Sequence, residues 1–378
     1  MSVTVSVVIP NHNYEKTLAR CVRSVLEQTR RPDEVIVVDD GSTDSSREIA
    51  RSLPCTLVEL PGNRGVSAAR NAGIAASSGD VVFFLDSDEA LEPDAIANAL
   101  DLLAADPPDA DPPLGCVHGL IAPEPLIDDG PVEWYRVLHA YWWRRRAVGE
   151  GRTAFFAQAA VPRRVLDDVG PFDERLRDSE DLEYSDRLAP RYRILLTDRV
   201  VARHDEVDRL GPLLTEQFRR SQLLVPTVLA ARRPGAASLT ANRPAGVAAV
   251  AAAVATLPMA VAAPALAVVP LTFLALFAAA DPGLCRFVAR RRGVRFLAYF
   301  LTVHLLVHLA LLAGAALGGV RWLARRRPAA QPAAPARAAT APAAPARAAT
   351  SPAAPARATA PAATARRPWP AGRYGSPR

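Results

Sequence analysis

The sequence predicts an α/β protein with a mainly parallel sheet, followed by C-terminal transmembrane helices and a disordered tail. From residue 3 onward, apolar runs of strand length alternate with amphipathic helical segments, which is the pattern of a doubly wound sheet. Two of these runs stop at carboxylates, one at Asp39 and Asp40 and the other at Asp86 and Asp88. Both acidic sets are therefore expected at the carboxyl ends of buried strands, where gathered carboxylates favour a divalent cation.

The individual elements follow from hydrophobic periodicity and from the residues that begin and end helices. Ser42 and Asp44 are expected to cap the helix that ends at Arg51, because their short side chains accept hydrogen bonds from its first N–H groups. The predicted strands cover residues 3–9, 34–38, 56–60, 81–85, 155–161 and 193–197, and the other predicted helices cover residues 16–28, 66–76, 93–105 and 163–169.

Charge and cysteine content describe the setting of this α/β part. The formal charge of the 378-residue chain is +6, but residues 325–378 contain ten arginines and no Lys, Asp or Glu, so the rest of the chain is mildly acidic. Nothing in that balance indicates a nucleic-acid groove. The four cysteines lack metal-binding spacing, and the N-terminus enters a strand without a signal peptide, so we expect the catalytic domain in a reducing cytoplasm.

Two long apolar segments predict a membrane region. Residues 244–280 contain no charged residue or histidine, and the segment is expected to form either a hairpin that turns near Pro264 or one tilted span. Residues 296–320 form a full-length span, so two or three spans remain open. The predicted organisation is an α/β domain at 1–215, a juxtamembrane segment at 216–243, a transmembrane region at 244–323 and a Pro/Ala/Arg repeat tail at 324–378, which has too few apolar residues to fold.

An aromatic and basic segment precedes the second half of the catalytic domain. It contains Trp134, Tyr135 and the run from Tyr141 to Arg146. Two interpretations stay open: the segment lies at a membrane interface or lines the acceptor entrance, or it packs its aromatic side chains on the sheet while the arginines face water. His304 and His308 share a helix face in the second span, where packing is favoured over a metal site because no third ligand accompanies them.

Five short motifs occur in one order along the first half of the chain. They are 10–14 (PNHNY) after the first strand, 39–42 (DDGS), 63–73 (NRGVSAARNAG), 86–88 (DSD) and 170–173 (GPFD) leading to 180–181 (ED). This order and spacing resemble the family 2 glycosyltransferases over roughly residues 3–205. The resemblance implies the GT-A fold, that of nucleotide-diphospho-sugar transferases, and an inverting, metal-dependent reaction.

The resemblance also implies roles for the donor-side residues. Asp88 is expected to hold Mn²⁺ or Mg²⁺, together with Asp86 and with His204 as a further ligand, so that the cation neutralises the diphosphate leaving group. The expected nucleotide-sugar-binding residues are Pro10, Asp39, Asp40, Arg70, Asp86 and Ser87. Arg70 offers a planar donor fork that suits phosphate oxygens, although a helix arginine paired with a carboxylate is the open alternative. His204 has the alternative of an ordinary surface histidine.

On the acceptor side, the resemblance implies that Asp181 is the general base and that Glu180 positions the acceptor. A base is required because an inverting transfer must remove the proton of the acceptor hydroxyl on the face opposite the leaving group. Three acidic residues at this point are also typical of a helix N-terminus. The two interpretations are compatible, since a base can lie in the first turn of a helix.

Together these expectations describe a membrane-anchored, multi-pass glycosyltransferase of the hexosyltransferase type. Its catalytic domain is expected at the cytoplasmic face of the cell membrane, with a nucleotide-diphosphate sugar as donor and a lipid-linked or envelope-glycan acceptor. A polyprenyl-phosphate glycosyltransferase is the near alternative. A sugar-phosphate nucleotidyltransferase and a non-catalytic membrane scaffold are alternatives from other classes. The first of these needs a Gly-rich basic loop after strand one, where this chain has Pro10 to Tyr14.

Overall fold

The computed structural model describes residues 3–222 and 243–326, which form an α/β unit followed by apolar helices. The described residues contain a nine-stranded sheet in the order β3-β2-β1-β4-β8-β6-β9-β5, with β7 paired to β9. The strands are β1 Val5–Asn11, β2 Glu34–Asp39, β3 Thr56–Glu59, β4 Val81–Leu85, β5 Glu89–Leu91, β6 Leu114–Ile121, β7 Gly149–Gly151, β8 Gln158–Pro162 and β9 Arg193–His204. The helices of the α/β unit are α1 Leu18–Leu26, α2 Ser46–Arg51, α3 Val66–Ala76, α4 Ala95–Ala104, α5 Pro131–Arg145, α6 Arg163–Val169, α7 Glu180–Leu188 and α8 Leu210–Ser221.

Strands β1 to β4 form a parallel half-sheet whose two faces are both covered. Alternate side chains of β1 enter different cores: Val7 packs in a cluster with residues of α1 and α4, and Val8 packs in a cluster on the side of α3 and α7. Burial on both faces explains why these strands are continuous apolar runs. The predicted bounds of α3, β4 and α6 agree with the structure.

The second half of the sheet is mixed. Strand β8 runs antiparallel to β4 on one side and to β6 on the other, whereas β6 and β9 are parallel. The α/β fold class is confirmed, but parallel pairing is confined to β1–β4 and to the β6–β9 pair. The strand–helix alternation that predicts parallel pairing ends after α4, so the strands that follow do not share that pattern.

Several predicted boundaries differ from those observed. Ser42 does not cap α2; its hydroxyl accepts hydrogen bonds from the Asn11 side chain and the Asn13 backbone, because it lies beside the end of β1. Asp44 does bind the start of α2, because one of its carboxylate oxygens accepts a hydrogen bond from the N–H of Ser46 at 3.0 Å. The strand predicted at 155–161 begins at Gln158, and the strand predicted at 193–197 continues to His204.

Three apolar helices follow: α9 Pro244–Ala262, α10 Val268–Ala278 and α11 Pro282–Arg326. Helices α9 and α10 form a hairpin around a short 3-10 turn, Pro264–Ala267, and Arg243 pairs with Asp281 at its open end (Nε–Oδ2 2.7 Å). Helix α11 is kinked at Gly293, whose φ of 82° lies in the left-handed region that favours glycine. In the described part of the chain, α9 and the 282–324 part of α11 are long and apolar enough to cross a membrane, by length and composition.

The predicted juxtamembrane segment and repeat tail lie largely outside the described residues. Helix α8, at the start of that segment, packs along α11 through glycines. A Cβ at Gly314 would lie 2.0 Å from Ser221 Oγ, and one at Gly318 would lie 2.2 Å from the carbonyl oxygen of Gln222. These close approaches attach the end of the α/β unit to α11, the third apolar helix.

Gly73 lets helix α3 lie directly on strand β1. A Cβ there would stand 2.2 Å from Val8 Cγ1, so Gly73→Ala should shift the helix and lower stability by about 1–3 kcal/mol. Gly211→Ala, in open space at the start of α8, is the matched control and should leave the melting temperature unchanged or slightly higher. Thermal unfolding of the purified variants in one detergent compares them, and equal melting temperatures would contradict the close packing of α3 on β1.

Candidate active site

The acidic motifs meet at one edge of the sheet because their strands are parallel neighbours. Asp39 ends β2 and is paired in register with Asn11, the last residue of β1. Asp86 directly follows β4, which pairs with β1 on its other side. The predicted convergence at the strand carboxyl ends is therefore present, and Pro10 lies between the two sets on β1.

Asp39 and Asp40 are both buried and hydrogen-bonded to the protein. Asp39 Oδ2 accepts a hydrogen bond from Arg47 Nε at 2.7 Å. Burial alone would raise the pKa of Asp39, but its hydrogen bonds with Ser42 and Arg47 outweigh burial and lower it. The two oxygens of Asp40 accept from the N–H groups of Arg64 and Gly65, each at 2.7 Å. The pair thus anchors the loop that enters α3, and its role in nucleotide binding stays a prediction.

Arg70 is the charged centre of the site. Its side chain is only 2 % exposed, and it pairs with three carboxylates: Asp86 at 3.2 Å, Glu180 at 3.0 Å and Asp181 at 3.1 Å. Both interpretations of this arginine remain open, since it faces the predicted diphosphate-binding residues and is paired with carboxylates. One guanidinium group thus joins the predicted donor-side and acceptor-side acids.

Aromatic side chains hold this arginine and the Glu180–Asp181 pair in place. The Arg70 guanidinium lies 5.6 Å from the Phe172 ring centre, and Phe172 stacks on Tyr184 of α7 at 4.2 Å. Ser179 begins α7 with a φ of 64°, an uncommon conformation for a residue other than glycine. The turn after Gly170 therefore supports the acidic start of α7 through Phe172.

Burial and mutual repulsion change the acidity of the central carboxylates. Burial, opposed by Arg70 and reinforced by Asp88 and Asp181, raises the pKa of Asp86 to about 6. Burial also raises the pKa of Asp181, again against the attraction of Arg70. A raised pKa makes a carboxylate a stronger base, which is the property that proton abstraction near neutral pH requires.

Asp88 and His204 face each other across the pair β5–β9. His204 Nε2 lies 3.5 Å from Asp88 Oδ2, and its Nδ1 lies 3.5 Å from Glu206 Oε1. Although burial alone would lower it, the charges of Asp88 and Glu206 raise the pKa of His204. His204 is therefore an ordered part of the site with an acidic partner on each ring nitrogen.

The Asp88–His204 pair fits a divalent cation. Asp88 Oδ1 is buried and has no hydrogen-bond partner among the described residues, as expected for an oxygen reserved for a ligand. The same residues contain no group of three or more His, Cys, Asp or Glu side chains arranged to hold a metal by themselves. The remaining ligands of a cation here would have to come from substrate or water, which is common for Mg²⁺ sites that bind phosphates.

The structure brings three further residues to the site to which the sequence assigned no individual role. The negative charge of Asp88 and burial both raise the pKa of Tyr14, whose phenol lies beside this candidate metal ligand. Glu206 is paired with His204 and with Arg136 (3.1 Å), and Arg144 stacks on Phe155 at 4.7 Å with its Nη1 unpartnered in the described chain. Tyr14 ends the predicted 10–14 motif and Arg144 lies in the predicted aromatic and basic segment, so both had a local signal, whereas Glu206 is marked only by its place two residues after His204.

Comparison with known proteins agrees with this geometry. Residues 6–111 match the family model described as glycosyl transferase family 2. An uncharacterized glycosyltransferase of Nostoc sp. is 40 % identical over 103 residues, which cover 26 % of this chain and 32 % of that protein. Glycosyltransferase AglE of Haloferax volcanii is 28 % identical over 224 residues, covering 57 % of this chain and 71 % of AglE.

A solved structure extends the similarity beyond the matched segment. The mannosyltransferase PcManGT from Pyrobaculum calidifontis, in complex with GDP-Man and Mn²⁺, superposes with a TM-score of 0.51 and 24 % identity over 84 % of this chain and 87 % of that chain. The chain spans about a third of the length of the Nostoc relative. These comparisons confirm the predicted resemblance to family 2 glycosyltransferases for residues 6–111 and the GT-A fold for the superposed part of the chain, and the activity of the whole chain is a proposal.

Removing the charge of Arg70 should destabilise the protein in a pH-dependent way. Arg70→Met leaves three carboxylates without their shared cation, a loss of about 3–5 kcal/mol for a buried pair. The folded-state pKa values of Asp86, already about 6, and of Asp181 should rise further above the unfolded value of about 4, so protonation favours the folded variant. The destabilisation should be large at pH 8 and smaller at pH 5, measured as unfolding free energy in EDTA.

Arg175→Met is the control for this experiment. Arg175 also pairs with a carboxylate, Asp173, but it is 89 % exposed, so its loss should matter little at either pH. A destabilisation by Arg70→Met that is the same at pH 5 and pH 8 would show that the three carboxylates are not charged together in the folded protein.

Proposed function

We propose that this protein is an inverting, metal-dependent glycosyltransferase that moves a sugar from a nucleotide-diphosphate sugar to a lipid-linked or envelope-glycan acceptor. The observation that carries the proposal is the arrangement around Arg70. One buried guanidinium contacts Asp86, on the predicted donor side, and also Glu180 and Asp181, on the predicted acceptor side. Donor and acceptor groups of a transferase must meet within one such constellation.

On the donor side, the chain supplies binding and charge neutralisation. Asp88 and His204 would hold a divalent cation, which when bound supplies Lewis-acid stabilisation of the diphosphate leaving group. Arg70 adds positive charge beside it, and Asp39 and Asp40 would contact the nucleoside. The solved mannosyltransferase of the same fold is in complex with GDP-Man and Mn²⁺. We propose the same classes of ligand for this chain.

On the acceptor side, Asp181 would accept the proton of the acceptor hydroxyl as that oxygen attacks the anomeric carbon. One carboxylate oxygen of Asp181 contacts Arg70, and the other accepts from the backbone N–H of Phe156 at 3.4 Å. These contacts orient the carboxylate, and burial gives it the raised pKa of a base. Glu180, next to it on α7, would position the acceptor.

The apolar helices support a membrane location. Helices α9 and α11 have the length and composition of spans, and the α9–α10 hairpin places Arg243 and Asp281 at one end with the arginines of 286–295. Clustered arginines favour the cytoplasmic side, where nucleotide sugars are made. We therefore propose a multi-pass protein of the cell membrane whose catalytic domain faces the cytoplasm and whose acceptor is presented by the membrane.

The metal proposal predicts a specific binding defect. Asp88→Ala should abolish transfer and weaken the binding of a nucleoside diphosphate only when Mn²⁺ or Mg²⁺ is present, because the lost carboxylate acts through the cation. Calorimetric titration of UDP and GDP, each with Mn²⁺ and with EDTA, measures this for both proteins. If wild-type protein binds both nucleotides equally well with and without metal, the assignment of Asp88 is wrong.

The base proposal predicts a loss confined to turnover. Asp181→Asn keeps the shape but cannot accept the proton, so kcat should fall by about 10²- to 10⁴-fold while donor and metal affinity stay nearly unchanged. Steady-state transfer assays together with nucleotide titrations separate the two effects. A variant that retains more than about a tenth of the wild-type kcat would count against Asp181 and make Glu180 or Glu183 the next candidate.

A further inference from the structure

A cavity of about 290 Å³ lies between helix α5 and the apolar helices α9, α10 and α11. The described residues that line it include none of the candidate active-site residues. Its walls come from the α/β unit on one side and from the apolar segments on the other. A ligand in this cavity would therefore touch both parts of the chain at once.

The mouth of the cavity carries an excess of positive charge. Asp281 Oδ2 accepts from Trp142 Nε1, Arg146 Nη1 and Arg243 Nε at 3.1, 3.1 and 2.7 Å, and Asp281 Oδ1 accepts from the backbone of Leu284 at 3.0 Å. Both oxygens of the Asp281 carboxylate therefore accept hydrogen bonds, whereas each arginine donates to it through only one nitrogen. The other guanidinium N–H groups make no hydrogen bond to the described residues, and both arginines are about half exposed.

The interior of the cavity combines a buried imidazole with apolar walls. His139 is buried, and its ring has no hydrogen-bond partner within 3–222 or 243–326. Burial lowers the pKa of His139 to about 3, so the ring is neutral and offers one N–H donor and one acceptor nitrogen. Phe277 and Leu301 line the same space, which continues along the apolar helices.

These features indicate which kind of ligand the cavity would bind. Free guanidinium donors with a net positive charge suit a phosphate group, and Arg binds phosphate through paired N–H groups. The apolar wall beside them suits a hydrocarbon chain. We propose that this cavity binds the phosphate group and first chain carbons of a lipid phosphate, with Arg146 and Arg243 as the phosphate contacts.

The cavity is close to the proposed catalytic base. Trp143 lines the cavity, and its ring centre lies 6.2 Å from that of Phe155. The next residue, Phe156, donates its N–H to Asp181. Trp143 and the adjacent residues Phe155 and Phe156 thus connect a wall of the cavity with the proposed base. This inference rests on the proposed function, and it identifies the acceptor as a lipid carrying a phosphate.

Binding of ³²P-labelled farnesyl phosphate to the full chain in detergent tests the proposal without any sugar donor. Arg146→Gln should weaken binding by about 10- to 100-fold, the effect of losing a charge-assisted hydrogen bond. Arg290→Gln is the matched control, because Arg290 is an exposed arginine of α11 that does not line the cavity. Unlabelled farnesol, which lacks the phosphate, and inorganic phosphate, which lacks the chain, should each compete at least tenfold more weakly than farnesyl phosphate.

Three results would overturn the proposal: equal affinity of the Arg146→Gln and Arg290→Gln proteins, equal competition by farnesol, or equal competition by inorganic phosphate. The second would indicate an apolar cavity, and the third a site for free phosphate. If Arg146→Gln fails to fold, Cys285→Trp, which fills the cavity from its wall, should abolish binding instead. Metal-dependent UDP or GDP binding, measured on the same samples, reports the catalytic domain. If the protein binds nucleotide in a metal-dependent way but does not bind farnesyl phosphate, this inference fails while the proposed transferase stands.

Discussion

The ion pairs of Arg70 are the interaction on which the candidate site depends. Arg70 stands on α3, Asp86 follows β4, and Glu180 and Asp181 begin α7, so its three contacts join elements from both halves of the sheet. Burying three carboxylates near one another is unfavourable unless a cation compensates them. The arginine therefore holds the predicted donor-side and acceptor-side acids together, while burial and their residual repulsion keep Asp86 and Asp181 basic.

The fold positions this group through simple close contacts. Gly73 brings α3 onto β1, which places Arg70 over the sheet edge, and Phe172 packs between Arg70 and Tyr184. The antiparallel entry of β8 between β4 and β6 places Phe156, just before that strand, beside Asp181. The mixed half of the sheet thus carries the acceptor-side contacts, and the parallel half carries the donor-side motifs.

The parallel half could be predicted from sequence because its signals are local. Strands β1, β2 and β4 are apolar runs that end at polar motifs, and α3 follows Gly65 and packs through Gly73, so the presence of these elements and the convergence of Asp39 and Asp86 follow from pattern, although β1 covers Val5–Asn11 and not the predicted 3–9. The contacts of Arg70 could not be predicted, because Glu180 and Asp181 lie more than a hundred residues away in sequence. The predicted helix cap at Ser42 is wrong for a related reason. Its hydroxyl contacts Asn11, at the end of β1, and Asn13, just beyond it, and not the helix that follows.

The acceptor side has weaker sequence signals, and there the structure contributes most. The aromatic run of α5 agrees in part with both interpretations: Trp142 and Tyr141 stack on Phe287 of α11, while Trp143 contacts Phe155. Helix α5 thereby links the apolar helices to the segment before β8, where Phe156 contacts Asp181. Its residues face different partners at successive positions, a distribution that periodicity alone does not resolve.

The most direct test of this account is the anomeric configuration of the transferred sugar. Asp181 and the leaving diphosphate are proposed to act on opposite faces of one carbon, so a single displacement must invert it. Proton NMR of the first-formed product, made from an α-linked nucleotide sugar with Mn²⁺ present, should show only the β anomer. An α-linked product would contradict the account, because retention requires a different arrangement of catalytic groups from the one that Arg70 joins.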